Sequence, residues 1–158
     1  MPSDASVVSI FIAPQAEAPM QAVASVEAVA GRGLTGDRYF KGEGTFSRSV
    51  EAPSFEVTLI EQEMVEAFNA RGEVTLGAHA FRRNLLTKGV NLNALVGKTF
   101  RVGEVSLRGT RLCEPCSHLA TIVHKDVLGM VHQAGLRAGI VSAGTVRVGD
   151  PITAEEKV

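Results

Sequence analysis

The sequence predicts a mostly β fold with a few short helices, curled into a closed or half-closed barrel. Three observations carry that expectation. Apolar runs are short and punctuated by glycine, of which the 158 residues hold 16. One two-residue turn chemistry is used twice, at Gly103-Glu104 and at Gly149-Asp150. Only two stretches show convincing helical spacing, which leaves little for a helical architecture to be built from.

In chain order, Ser6 to Ala13 and Gln21 to Ala30 read as the first two strands, and Phe55 to Ile60, rich in β-formers, as the third. The third runs into a helix over Glu61 to Arg71, where Ile60, Met64 and Phe68 recur every fourth residue and Gly72 supplies the stop. Phe100 and Val102, then Val105 and Leu107, alternate on either side of Gly103-Glu104, the pattern of a tight hairpin. Val105 and Leu107 share one face whereas Leu112 falls on the opposite parity. Burying all three needs a bulge, with Gly109 the residue to tolerate it, and the bulge re-aims Thr110, Arg111 and Cys113. After Pro115 a short second helix is packed down by Leu119, Ile122 and Val123. Arg147-Val148-Gly149-Asp150 echoes Arg101-Val102-Gly103-Glu104, and Pro151-Ile152 opens a returning edge strand.

Composition narrows the functional classes. With 45% apolar residues and no linker-like interior stretch, residues 1–158 are expected to form one domain. The net charge of -1 and the lack of an aromatic-rich basic stretch disfavour nucleic acid. Val7 to Ala13 is too short to cross a bilayer, and Asp4 sits where a signal peptide would carry positive charge, so a cytoplasmic location with no membrane partner is expected. In such a reducing compartment two cysteines argue for metal binding or thiol chemistry over a disulfide scaffold, the alternative being two inert buried thiols. Of the 16 basic residues, arginine is the majority, which suits an anionic ligand as well as it suits codon bias.

The cysteines lie in Arg111-Leu112-Cys113-Glu114-Pro115-Cys116-Ser117-His118, where a strand ends and a helix begins. Proline fits the first helical position, which puts Cys116 in the first turn, facing the positive end of the helix dipole with Arg111 close in sequence. Both effects favour the thiolate, the form that attacks, carries sulfur or binds a soft metal, so Cys116 is the candidate catalytic residue and metal ligand. Zinc is disfavoured: a closed site needs four ligands, and His118 and His124 do not converge on one helix face. A thioredoxin-like dithiol needs a βαβ setting that this strand-rich chain lacks.

Two further motifs are weaker. Gly31, Gly33 and Gly36 match a dinucleotide fingerprint, but no helical period follows them, so they read as a turn presenting Asp37 and Arg38. Arg82-Arg83-Asn84 precedes the apolar Leu85-Leu86. The trio either grips a ligand from two directions or leaves one arginine in solvent.

Taken together these residues resemble a MOSC domain, the module named for the C-terminal portion of molybdenum cofactor sulfurase. The resemblance runs from Gly33-Leu34-Thr35-Gly36-Asp37-Arg38 through Val57-Thr58-Leu59-Ile60-Glu61, Arg82-Arg83-Asn84-Leu85-Leu86-Thr87 and Pro115-Cys116-Ser117-His118-Leu119 to Gly144-Thr145-Val146-Arg147-Val148-Gly149-Asp150. It implies a β-barrel similar to the pyruvate kinase β-barrel domain, with the family's cysteine at Cys116. It also implies that this cysteine either carries sulfur received from a pyridoxal-phosphate-dependent desulfurase or ligates molybdenum of the pterin cofactor, molybdopterin, in reduction of N-hydroxylated compounds. On that resemblance Arg82, Arg83 and Arg111 bind the cofactor's phosphate, and Asn84 and Thr110 hydrogen-bond the pterin. Sulfur or electrons then come from a partner enzyme, since the chain carries no desulfurase domain or iron–sulfur motif of its own. The alternatives are a thiol redox protein using Cys113 and Cys116, or a non-catalytic ligand-binding barrel.

Overall fold

The structure, a computed structural model, describes residues 5–13, 20–30, 32–37, 56–70, 83–112 and 135–154. The described strands are β1 (Ser6–Ile12), β2 (Gln21–Val23), β3 (Ser25–Val29), β4 (Gly33–Leu34), β5 (Val57–Glu61), β6 (Leu85–Lys88), β7 (Thr99–Val102), β8 (Val105–Leu112), β9 (Leu136–Ser142), β10 (Gly144–Arg147) and β11 (Ile152–Ala154). One α-helix, α1 (Gln62–Ala70), and a 3₁₀ turn at Leu92–Leu95 complete the described elements. The mostly β expectation holds. The helix expected after Pro115 lies outside the described residues.

The large sheet runs in the order β11-β7-β8-β9-β5-β6-β1-β2, and its two ends meet. The Val7 amide donates to the Asp150 carbonyl at 2.9 Å, Gly149 to Val7 at 2.8 Å, and Ile152 to Ala5 at 3.0 Å. Ser6 thus bridges Pro151 on one side while it pairs with Lys88 of β6 on the other. The start of β1 therefore lies between β6 and the segment leading into β11, and the sheet curls round on itself as a barrel does. A closed ring of strands leaves fewer unpaired backbone groups at its edges.

A second, three-stranded sheet has the order β10-β3-β4, and it corrects one element. The run expected as a single strand over Gln21 to Ala30 is broken at Ala24, because β2 pairs with β1 whereas β3 pairs with β10. Val26, Ala28, Leu34 and Val146 of this sheet share one apolar core with Ile10, Leu59, Phe100, Leu107 and Leu136 of the large one.

Strand β5 is buried along its whole length. Val57 and Leu59 face that core, and α1 packs against β5 and β6, burying its own Val65 and Phe68. The strand's two polar residues are buried with partners, Thr58 with Asn84 and Glu61 with the Leu92 amide. The helix begins one residue later than its spacing suggested, since Glu61 belongs to β5.

The hairpin β7–β8 turns at Gly103-Glu104, where Val102 pairs with Val105 and Gly103 adopts a φ of 60°. The echoing turn at Gly149-Asp150 docks on it: the Gly103 amide donates to the Pro151 carbonyl at 2.9 Å, and a side chain at Gly103 would collide with the Asp150 carboxylate. Glu104 joins the turns from the other side, accepting from the Thr145 amide at 2.9 Å with the Arg147 guanidinium at 3.7 Å. Both contacts hold its carboxyl below the usual carboxylate range, the amide more strongly. The repeated turn chemistry reflects two turns that pack on one another.

Candidate functional site

The bulge inferred from side-chain parity is present in β8. Gly109 pairs with Ala138 and Arg111 with Arg137, so two steps along β8 match one step along β9 and Thr110 is the extra residue. Burial follows the slip. Val105, Leu107 and Gly109 are buried, Thr110 and Arg111 are both exposed, and Leu112 turns back to a half-buried position opposite Leu136. The Thr110 hydroxyl donates to the Arg137 carbonyl at 2.9 Å and ties the bulge to β9.

Gly109 serves the bulge differently from the sequence expectation. A methyl group at this position would overlap the carbonyl of Leu95 in the 3₁₀ turn. Glycine here admits a neighbouring backbone rather than an unusual backbone angle. The Gly97 amide donates to the Gly109 carbonyl and the Gly109 amide to the Lys98 carbonyl, both at 2.9 Å. At its other end the 3₁₀ turn is anchored by Glu61, whose carboxylate accepts from the Leu92 amide at 3.1 Å. Burial raises the Glu61 pKa, the Leu92 amide lowers it in part, and the nearby charge of Glu63 raises it further.

The pairing then assembles a rung across four segments. Arg111 of β8 stands opposite Arg137 of β9, Arg137 opposite Thr58 of β5, and Thr58 beside Asn84 at the entry to β6. With adjacent strands about 4.8 Å apart, the rung spans about 14 Å. Paired residues share one face of a sheet, so Arg111 and Arg137 project together, away from the core that Leu112 and Leu136 face.

Asn84 holds the far end of the rung, and its side chain is taken up between the strands. The side chain is 0% exposed. Its Oδ1 accepts from the Thr58 amide at 3.0 Å and the Thr58 hydroxyl at 3.2 Å, and its Nδ2 donates to the Phe11 carbonyl at 3.1 Å. Sealed among β5, β6 and β1, Asn84 fixes the backbone from which the half-buried Arg83 projects. Asp37 is likewise turned inward: it is 0% exposed and accepts from the Ala13 amide at 3.0 Å, closing the end of β1 rather than being presented to a ligand. Arg82, Arg38, Cys113 and Cys116 lie outside the described residues.

Arg137 was given no role from sequence. The available signal was its place in Gly135-Leu136-Arg137-Ala138, a charge inside an otherwise apolar strand pattern.

The sequence profile of the MOSC domain matches residues 46–153, more than half of the chain. This chain belongs to the MOSC domain family. The family is associated with the molybdenum cofactor. Among solved structures, the YuaD protein of Bacillus subtilis superposes with a TM-score of 0.78 at 14% identity, covering 96% of this chain and 97% of that one. YiiM from Geobacillus stearothermophilus gives 0.71 at 16% identity over 96% and 75% of the two chains. YiiM from Escherichia coli gives 0.69 at 17% identity over 100% and 71%. At these identities the likeness is one of fold. No curated protein matches the sequence. Among the described residues of this MOSC domain, no helix is long and apolar enough to cross a membrane.

The donor set suits the anionic end of a phosphate-bearing pterin cofactor. Arginine forks match phosphate oxygens, and Arg111 and Arg137 stand opposite one another on one rung.

Proposed function

We propose that this MOSC domain binds the molybdenum cofactor, with Arg82, Arg83, Arg111 and the Thr110 hydroxyl engaging its phosphate and pterin. In this reading Cys116 is the reactive thiolate, either carrying sulfur or ligating the metal. The observation that supports it best is the bulge at Thr110, which turns Arg111 outward into register with Arg137 just ahead of the segment that carries Cys116.

When bound, the cofactor supplies redox and sulfur chemistry at a dithiolene-held metal. The chain's own part is to hold the anion through guanidinium forks and to keep the Cys116 sulfur ionised. Both uses of Cys116 require the thiolate, and a soft sulfur suits such a metal centre. The sulfur or the electrons come from a partner, a pyridoxal-phosphate-dependent desulfurase or an electron-donor protein.

Elemental analysis tests this directly. Protein produced with the cofactor available should carry molybdenum and pterin, and Cys116→Ser should lose the metal if the sulfur ligates it. Sulfur carriage predicts instead that Cys116 acquires labile sulfur from a desulfurase and cysteine, while the serine variant acquires none. A wild-type protein with neither molybdenum nor transferable sulfur would sink the reading.

A further inference from the structure

Directly opposed residues on antiparallel strands have Cβ atoms about 4.5–5.5 Å apart, and two like charges in that position repel. Arg111 and Arg137 hold that position. We propose that Arg137 is the second arm of the anion site, forming with Arg111 a paired guanidinium receptor for a phosphate monoester. The proposal deepens the cofactor reading, on which the identity of the ligand rests, while the pairing itself rests on the strand register.

Three observations carry it. A tetrahedral dianion seated across both side chains turns the mutual repulsion into two charge-assisted, fork-shaped contacts, which a lysine point charge would not reproduce. One terminal nitrogen of Arg137 is shut off from solvent, where charge pairing is less screened than it is in water. The Thr110 hydroxyl binds the Arg137 carbonyl, so the residue that brings Arg111 to this face also fastens the strand carrying its partner. Were Thr110 taken into regular pairing instead of bulged out, it would meet Arg137, and Arg111 would project to the opposite face of the sheet.

The test is a titration of the full chain with inorganic phosphate, followed by ¹⁵N NMR of the backbone amides and the arginine Nε–Hε groups, with nitrate as a planar monoanionic control. Phosphate should shift the Nε–Hε signals of both Arg111 and Arg137, and nitrate should shift neither to a comparable extent. Arg137→Gln and Arg111→Gln should each weaken phosphate by about tenfold or more, the loss expected for one charge-assisted hydrogen bond. Phosphate that shifts Arg111 and leaves Arg137 unmoved overturns the proposal, and this holds in the wild type even where Arg137→Gln fails to fold. Absence of phosphate binding overturns it too. Phosphate binding at the pair in a protein that never acquires molybdenum or sulfur would remove the cofactor reading and leave the site. Molybdenum uptake with unchanged phosphate affinity in Arg137→Gln would do the reverse.

Discussion

Arg111 stands directly opposite Arg137 because one extra residue, Thr110, is bulged out of β8 between Gly109 and Arg111. The side-chain period of a strand is two, so accommodating Thr110 as a bulge rather than in regular pairing decides which face Arg111 occupies. Deleting Thr110 should therefore leave a regular ladder in which Gly109 still meets Ala138, Arg111 still meets Arg137 and Leu112 still meets Leu136, so phosphate binding should persist without the bulge, and its loss would show that the bulge itself shapes the site. Thr110→Val keeps the insertion and loses the hydroxyl, and with it the exposed hydrogen bond to Arg137. It should cost about 1 kcal/mol or less and leave the rung intact. Urea unfolding midpoints and phosphate titrations on the two variants separate the contribution of the insertion from that of the hydroxyl.

Gly109→Ala tests the support beneath the bulge. The added methyl meets the Leu95 carbonyl, and backbone cannot rotate aside as a side chain does. The 3₁₀ turn must shift, straining the paired hydrogen bonds of Gly97 and Lys98 with Gly109. Overpacking of this kind costs about 1–3 kcal/mol. The variant should also perturb the amide signals of Thr110 and Arg111. A variant as stable as the wild type with unmoved signals would show that the turn does not constrain the bulge.

Local chemistry was legible in the sequence, and long-range register was not. The hairpin at Gly103-Glu104 could be read because a two-residue glycine turn between alternating runs specifies itself. The bulge could be read because Leu112 breaks the parity of Val105 and Leu107, although its location one residue past Gly109 and the reason for the glycine depended on Leu95, 14 positions upstream. The opposition of Arg111 and Arg137 depends on how β8 and β9 align across the intervening chain, which no local pattern encodes. The break at Ala24 is set by two different partner strands in the same way. Asn84 illustrates a further ambiguity: a polar residue at a strand entry reads alike whether it meets a ligand or satisfies buried backbone groups.

Asn84→Ala measures what that residue holds together. It leaves the Thr58 amide and the Phe11 carbonyl without the side chain that pairs with them. Each orphaned buried group costs about 1–3 kcal/mol, so the loss should be about 4 kcal/mol by urea unfolding. Because Asn84 is closed to solvent, phosphate affinity should fall only as far as Arg83 is displaced. A variant with unchanged stability and abolished phosphate binding would instead return Asn84 to direct ligand contact.

Glu61 supplies a pH signature for the anchor of the 3₁₀ turn. Burial raises its pKa in the folded protein above the ordinary value of 4.5, against the smaller opposing effect of the Leu92 amide. Between the ordinary and the raised value, the folded state binds more protons at this group than the unfolded state does, so the group's contribution to stability falls as pH rises through that window. Above it the full penalty of a buried carboxylate is present. Glu61→Gln keeps an oxygen for the Leu92 amide but cannot ionise. The stability of the Gln variant relative to wild type should therefore rise with pH through the window above 4.5 and then level off, since every other titrating group cancels in the difference. Unfolding free energies of both proteins from pH 4 upward supply the check; a relative stability that falls with pH would mean that the charged carboxylate is favoured here, and that its hydrogen bond to Leu92 outweighs burial.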